Sequence, residues 1–99
     1  MQTDARRFER KSTKLDGHVI SAADPSTEYP CEIIDLSAGG AKLKINNAKL
    51  LNGEISLKIG DLGPYPADIV WSRPPQMGVK FQASPEVMAE VVMAVALYR

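Results

Sequence analysis

Apolar and polar side chains alternate along short stretches of this chain, and the alternation restarts after each turn signal. No other feature restricts the fold as much. It is cleanest in Ala41-Lys42-Leu43-Lys44-Ile45, where the apolar residues face one way and the lysines the other, as in a strand with one buried face and one wet face. Ile55, Leu57 and Ile59 repeat the pattern, with Ser56 and Lys58 outward. Upstream, residues 17–22 read as a first strand, and Tyr29, Cys31 and Ile33 share the inward parity of a second. Downstream, Ala67, Ile69 and Trp71 form another inward set, and Val79 and Phe81 a last one. The separators are Ala23-Asp24-Pro25-Ser26, Asp35 to Gly40, Gly60 to Pro66, and Arg73-Pro74-Pro75. About six short strands at this spacing predict a mainly β, antiparallel barrel or sandwich. A barrel this small fills its interior with side chains, so a ligand would bind outside it or at a rim.

The period changes near the C-terminus. Val87, Met88, Val91, Val92 and Val95 follow helical spacing and make one apolar stripe. Ser84 suits the N-cap and Pro85 the first helical position, with Glu86 adding a favourable charge in the first turn. This predicts a helix over about residues 85–97 that depends on packing, because valine lowers helix propensity. Residues 1–15 are mostly polar and do not alternate. The expected organisation is an N-terminal arm over 1–15 and a single barrel domain with its helix over 16–99.

Ninety-nine residues make one domain with one modest core. Twelve basic residues offset twelve acidic ones, so an anion site must come from a local cluster and not from net charge. Cys31 is the only cysteine and His18 the only histidine. Cys31 therefore has no internal disulfide partner and is expected to be a small buried hydrophobe. His18 lacks companions at metal-ligand spacing, so no metal is expected. No nucleophile–base arrangement and no glycine-rich phosphate loop leading into a helix is present, which argues against an enzyme. The chain has no apolar stretch suited to a signal peptide or a membrane span, and the expected location is the cytoplasm.

Two segments carry chemistry. Arg6-Arg7-Phe8-Glu9-Arg10-Lys11 packs four cations into six positions. Such a run is commonly a solvated tail, but arginine's planar fork also grips phosphate and donates to guanine O6 and N7 together. Asp35-x-Ser37-x-x-Gly40 reads either as a turn or as a loop that accepts from the N–H edge of guanine. On the second reading, the glycine lets a ligand approach the backbone.

In this order and spacing, Arg6-x-x-x-Arg10 followed by Asp35-x-Ser37-x-x-Gly40 resembles the paired RxxxR and [DN]xSxxG signatures of the PilZ domain family. Residues 67–71 (ADIVW), residues 78–81 (GVKF) and the terminal helix extend the likeness over nearly the whole chain. The resemblance implies a six-stranded antiparallel barrel that binds cyclic di-GMP, a flexible N-terminal loop whose arginines wrap the ligand, and a motif that holds a guanine from the barrel surface. Carried over to this chain, Arg6 and Arg10 form the clamp with Arg7 assisting, and Asp35, Ser37 and Gly40 form the surface half. The residue before the clamp is often basic in the family and influences whether one ligand or a stacked pair binds. Here it is Ala5.

The expected protein is thus a cyclic di-GMP receptor without a cofactor, a monomer or weak homodimer, that signals to a downstream protein in motility, exopolysaccharide or biofilm control. Two alternatives are a protein-only adaptor and a single-strand- or RNA-binding barrel. The latter needs exposed aromatics among basic residues, and few aromatics here look exposed, with Tyr29, Trp71 and Phe81 placed inward. Neither a nucleic-acid polymer nor a membrane is an expected partner.

Overall fold

A computed structural model describes residues 15–46 and 48–97. The alternating segments form β1 (Leu15–Ser21), β2 (Asp24–Leu36), β3 (Gly40–Lys44), β4 (Glu54–Ile59), β5 (Leu62–Arg73) and β6 (Gln76–Phe81). All neighbours are antiparallel, and the strands close into a barrel in the order β1-β2-β3-β6-β5-β4. Helix α1 (Pro85–Leu97) follows. The expected fold class is therefore the observed one.

The inward parity sets fill the interior: Val19, Cys31, Ile33, Leu43, Ile55, Leu57, Ala67, Met77 and Val79 are all buried in one cluster. Fully burying a side chain of Val or Leu size contributes roughly 1.5–3 kcal/mol, so this row of aliphatics is the main force closing the barrel. Ile45, Ala48 and Leu51, from the connection between β3 and β4, are buried in the same cluster. At the helical end, Met88 is fully buried, with Val91 and Val95 packed beside it.

Several boundaries differ from the alternation reading. β1 takes in Leu15, assigned above to the arm. The turn after β1 is only Ala22-Ala23, with Ser21 paired to Asp24. Asp24 accepts from Ser26 Oγ at 2.8 Å and Thr27 Oγ1 at 3.0 Å, which stabilises the first residues of β2. The expected turn over Gly60 to Pro66 is mostly strand, because β5 begins at Leu62. Its prolines are tolerated because β5 acquires β6 as a neighbour only from Ala67 onward. Pro66 turns its carbonyl toward Gln82 N, so its missing N–H would also have pointed past the paired part of β6. In α1, Ser84 caps as expected, Oγ accepting from Val87 N at 3.3 Å. Val87 itself is 52% exposed and drops out of the buried stripe, which runs instead along Met88, Val91 and Val95.

The strand directions bring four strand ends that matter for the site to one end of the barrel. β1 starts there, β2 ends there, and β3 starts there after a short loop. β6 also ends there before α1.

Candidate functional site

In a regular β2, Asp35 would share the inward parity of Cys31 and Ile33. A carboxylate in that aliphatic interior would be costly. The pairing with β3 slips instead: Ile33 faces Leu43, but Asp35 faces Lys42. Ile34 is the extra residue, and this bulge turns Asp35 to the outside, where it is exposed. The same event occurs in β5. Ile69 faces Val79 while Trp71 faces Gly78, with Val70 as the extra residue. Trp71, expected inward, is therefore outside and 40% exposed. Of the three aromatics expected inward, only Phe81 is buried; Tyr29 is half-buried.

Because β3 and β6 pair without a slip, Lys42 faces Gly78. Asp35, Lys42, Gly78 and Trp71 therefore form one continuous row across β2, β3, β6 and β5. Three inter-strand steps of about 4.8 Å give the row a span of roughly 14 Å. Bulges are a common means of re-aiming side chains at functional sites, and here two of them aim at one row. The next row on this face is Gly40, Lys80, Asp68 and Glu54, with Gln82 Nε2 donating to Glu54 Oε2 at 3.0 Å and to Asp68 Oδ1 at 3.3 Å.

The loop beside Asp35 is held by its own motif. Ser37 N donates to Gly40 O at 2.9 Å. Ser37 Oγ accepts from Gly40 N at 3.4 Å and donates to Gly40 O at 3.3 Å. Phe81 N donates to Gly39 O at 3.0 Å, tying the loop to β6. Gly40 has a packing reason to be glycine. A Cβ there would overlap the carbonyl oxygen of Val79 and lie 3.2 Å from its carbonyl carbon. The glycine thus permits close approach of β6, and it stands beside Asp35 and Ser37. Asp35, Leu36, Ser37, Gly40, Ala41 and Lys42 line an open cavity of about 150 Å³. Pockets that enclose a small molecule run to roughly 300–1,000 Å³, so this one has room for part of a ligand, such as one base.

A PilZ domain family model matches residues 4–95. The chain belongs to the PilZ domain family. PilZ domains are in general cyclic di-GMP-binding, regulatory modules. Among solved structures, the crystal structure of the PilZ domain of CeSA from a cellulose-synthesizing bacterium is similar, at 20% identity and a TM-score of 0.61, over 85% of this chain and 90% of that one. At that identity the likeness concerns the fold. No curated protein matches the chain.

Of the PilZ motif residues, the structure brings Asp35, Ser37 and Gly40 together at one cavity. Arg6, Arg7 and Arg10 lie outside the described residues. Sequence reasoning missed Lys42, which lines the cavity with the motif, and the exposed Trp71. Lys42 had a signal, since it is an outward residue next to the motif, but nothing in the alternation pattern marks Trp71. His18 is half-buried, with Nδ1 shielded and unpaired by hydrogen bonds. Among the described residues, no three of His, Cys, Asp and Glu gather into a metal-binding group. No described helix is long and apolar enough to cross a membrane.

Proposed function

We propose that this PilZ domain is a cytoplasmic cyclic di-GMP receptor and not an enzyme. The observation that carries the reading is the outward turn of Asp35 at the β2 bulge, beside Ser37 in a cavity sized for one base. Guanine presents adjacent N–H donors on its Watson–Crick edge, and a carboxylate accepts from them. The opposite edge, O6 and N7, is the natural target of an arginine fork. Arg6, Arg7 and Arg10 supply that fork and the phosphate contacts. Arg10 precedes Leu15 by five residues, a connection that spans at most about 18 Å. Leu15 pairs with Ile33, next to the bulge, so the arginine has the reach the site requires.

The open cavity supports the clamp part of the proposal. It covers one base at most, so the rest of the ligand needs a second wall, and the N-terminal segment closing over the row supplies one. Closure changes the surface at the barrel end where β1 begins, and a downstream protein reads that change. The regulated processes are motility, exopolysaccharide production or biofilm formation, and the receptor acts as a monomer or weak homodimer.

Isothermal titration with cyclic di-GMP, with GTP and linear pGpG as controls, tests the reading. Selective, saturable binding is expected, and the stoichiometry reports the influence of Ala5. Absence of binding at tens of micromolar protein with excess ligand would overturn the receptor and favour a protein-only adaptor.

A further inference from the structure

Gly78 lies on the outer side of β6, yet it is buried. Its cover is Trp71. A Cβ placed at Gly78 would overlap Trp71 Nε1 and lie 2.5 Å from Cε2 and 2.7 Å from Cδ1. The five-membered ring of the indole therefore rests directly on the Gly78 backbone. Trp71 still keeps 40% of its surface exposed. The backbone at Gly78 does not need glycine, because the positive-φ glycines are Gly53, Gly60 and Gly63. A glycine inside a strand also weakens it. What glycine permits at this position is the flush seat of the indole.

We propose that Gly78 is a positioning residue for the ligand site. By omitting a side chain, it lets Trp71 lie flat against the sheet and present the indole as a stacking surface for a guanine that Asp35 does not hold. The inference rests on the cyclic di-GMP reading and deepens it. The two bulges place the carboxylate and the indole in one row, with Lys42 between them. A cyclic dinucleotide has two bases on either side of a phosphate-bearing ring. A base at Asp35, phosphate near Lys42 and a base at Trp71 follow that order. The competing account is that Trp71 merely fills the space a glycine leaves in a strand. That account predicts no effect of the seat on ligand affinity.

The substitution Gly78→Ala separates the two. Its backbone conformation suits alanine, and replacing glycine at a compatible position tends to stabilise a protein through the unfolded chain. The disturbance therefore falls on the indole. Trp71 is the only tryptophan, so intrinsic fluorescence reports this ring alone. Three results are expected for folded Gly78→Ala protein. Its emission differs from wild type before any ligand is added, cyclic di-GMP quenches it less, and titration shows affinity reduced about tenfold, as loss of a base–aromatic stack implies. Trp71→Leu keeps Gly78 and is expected to weaken binding by a similar factor, and Trp71→Phe less. Wild-type affinity in folded Gly78→Ala, or in Trp71→Leu should Gly78→Ala fail to fold, overturns the inference while leaving the receptor standing. Failure of the wild-type protein to bind cyclic di-GMP overturns both.

Discussion

Asp35 and Ser37 sit two residues apart in one motif, and on the proposed reading they divide their work differently between fold and ligand. The Ser37 hydroxyl already accepts from Gly40 N and donates to Gly40 O, which leaves one lone pair for a ligand donor. Asp35 is exposed on the outer face, where its carboxylate is available to a guanine edge. Asp35→Ala is therefore expected to melt close to wild type and to lose at least tenfold in cyclic di-GMP affinity, since a charge-assisted hydrogen bond is worth roughly 1.5–3 kcal/mol. Ser37→Ala is expected to lose less affinity and about 1 kcal/mol of stability. Paired titrations and thermal melts check this, and wild-type affinity in folded Asp35→Ala would remove Asp35 from the site. Cys31 belongs wholly to the fold. Burial, reinforced by the negative charge of Asp16, pushes its thiol from an ordinary 9.0 up to about 12. The unfolded chain ionises first, so this stabilising contribution is complete below pH about 9. It is lost as pH rises toward 12. Iodoacetamide at pH 8 should label Cys31 in denatured protein and spare it in native protein; equal labelling rates would place the thiol outside the core.

At the scale of strands and helix, the interior was legible because alternation and burial are the same physical fact seen twice. Leu43, Ile55, Leu57 and Val79 were read inward and are inward. The site was harder to read for a specific reason. Its two outward-turned residues, Asp35 and Trp71, depend on Ile34 and Val70 being extra residues in their strands. Isoleucine and valine are ordinary strand formers, so neither announces a bulge, and a period-2 reading carries every later residue to the wrong face. Asp35 was recoverable because the motif and the cost of burying a carboxylate both speak for it. Trp71 was not, because a tryptophan is plausible on either face. The helix shows the opposite case, in which one residue dominates. Met88 is fully buried while Val87, Met93 and Leu97 are exposed, so α1 is anchored through a narrow line. Met88→Ala is expected to cost about 2–5 kcal/mol, read as a lowered urea midpoint with unchanged slope. A loss under 1 kcal/mol would show that the barrel closes this end without the helix.

For the whole molecule, the question is how a barrel with a filled interior can bind a ligand larger than its surface cavity. The interior offers no room, since the inward side chains are packed into one cluster. On the proposed reading binding is bilateral, with the outer row on one side and the N-terminal cations on the other. Ordering each residue of the N-terminal segment costs about 1–2 kcal/mol, so several charge-assisted bonds to phosphate and guanine are needed to offset closure. Arg6, Arg7 and Arg10 are the groups near enough in sequence to make them. Two consequences follow for the Arg6→Ala, Arg10→Ala double variant. Its thermal melt should match wild type, because the core lies within residues 19–88. Its affinity should fall well beyond the loss from either single change, because half the clamp cannot hold the segment closed. Salt gives an independent check. Wild-type affinity should decline as ionic strength rises from low values toward 1 M, where the screening length shrinks to about 3 Å, while the double variant should lose most of that dependence along with its binding. A double variant that binds with unchanged affinity and unchanged salt sensitivity would mean that the barrel row alone is the receptor site, and the clamp would have to be abandoned.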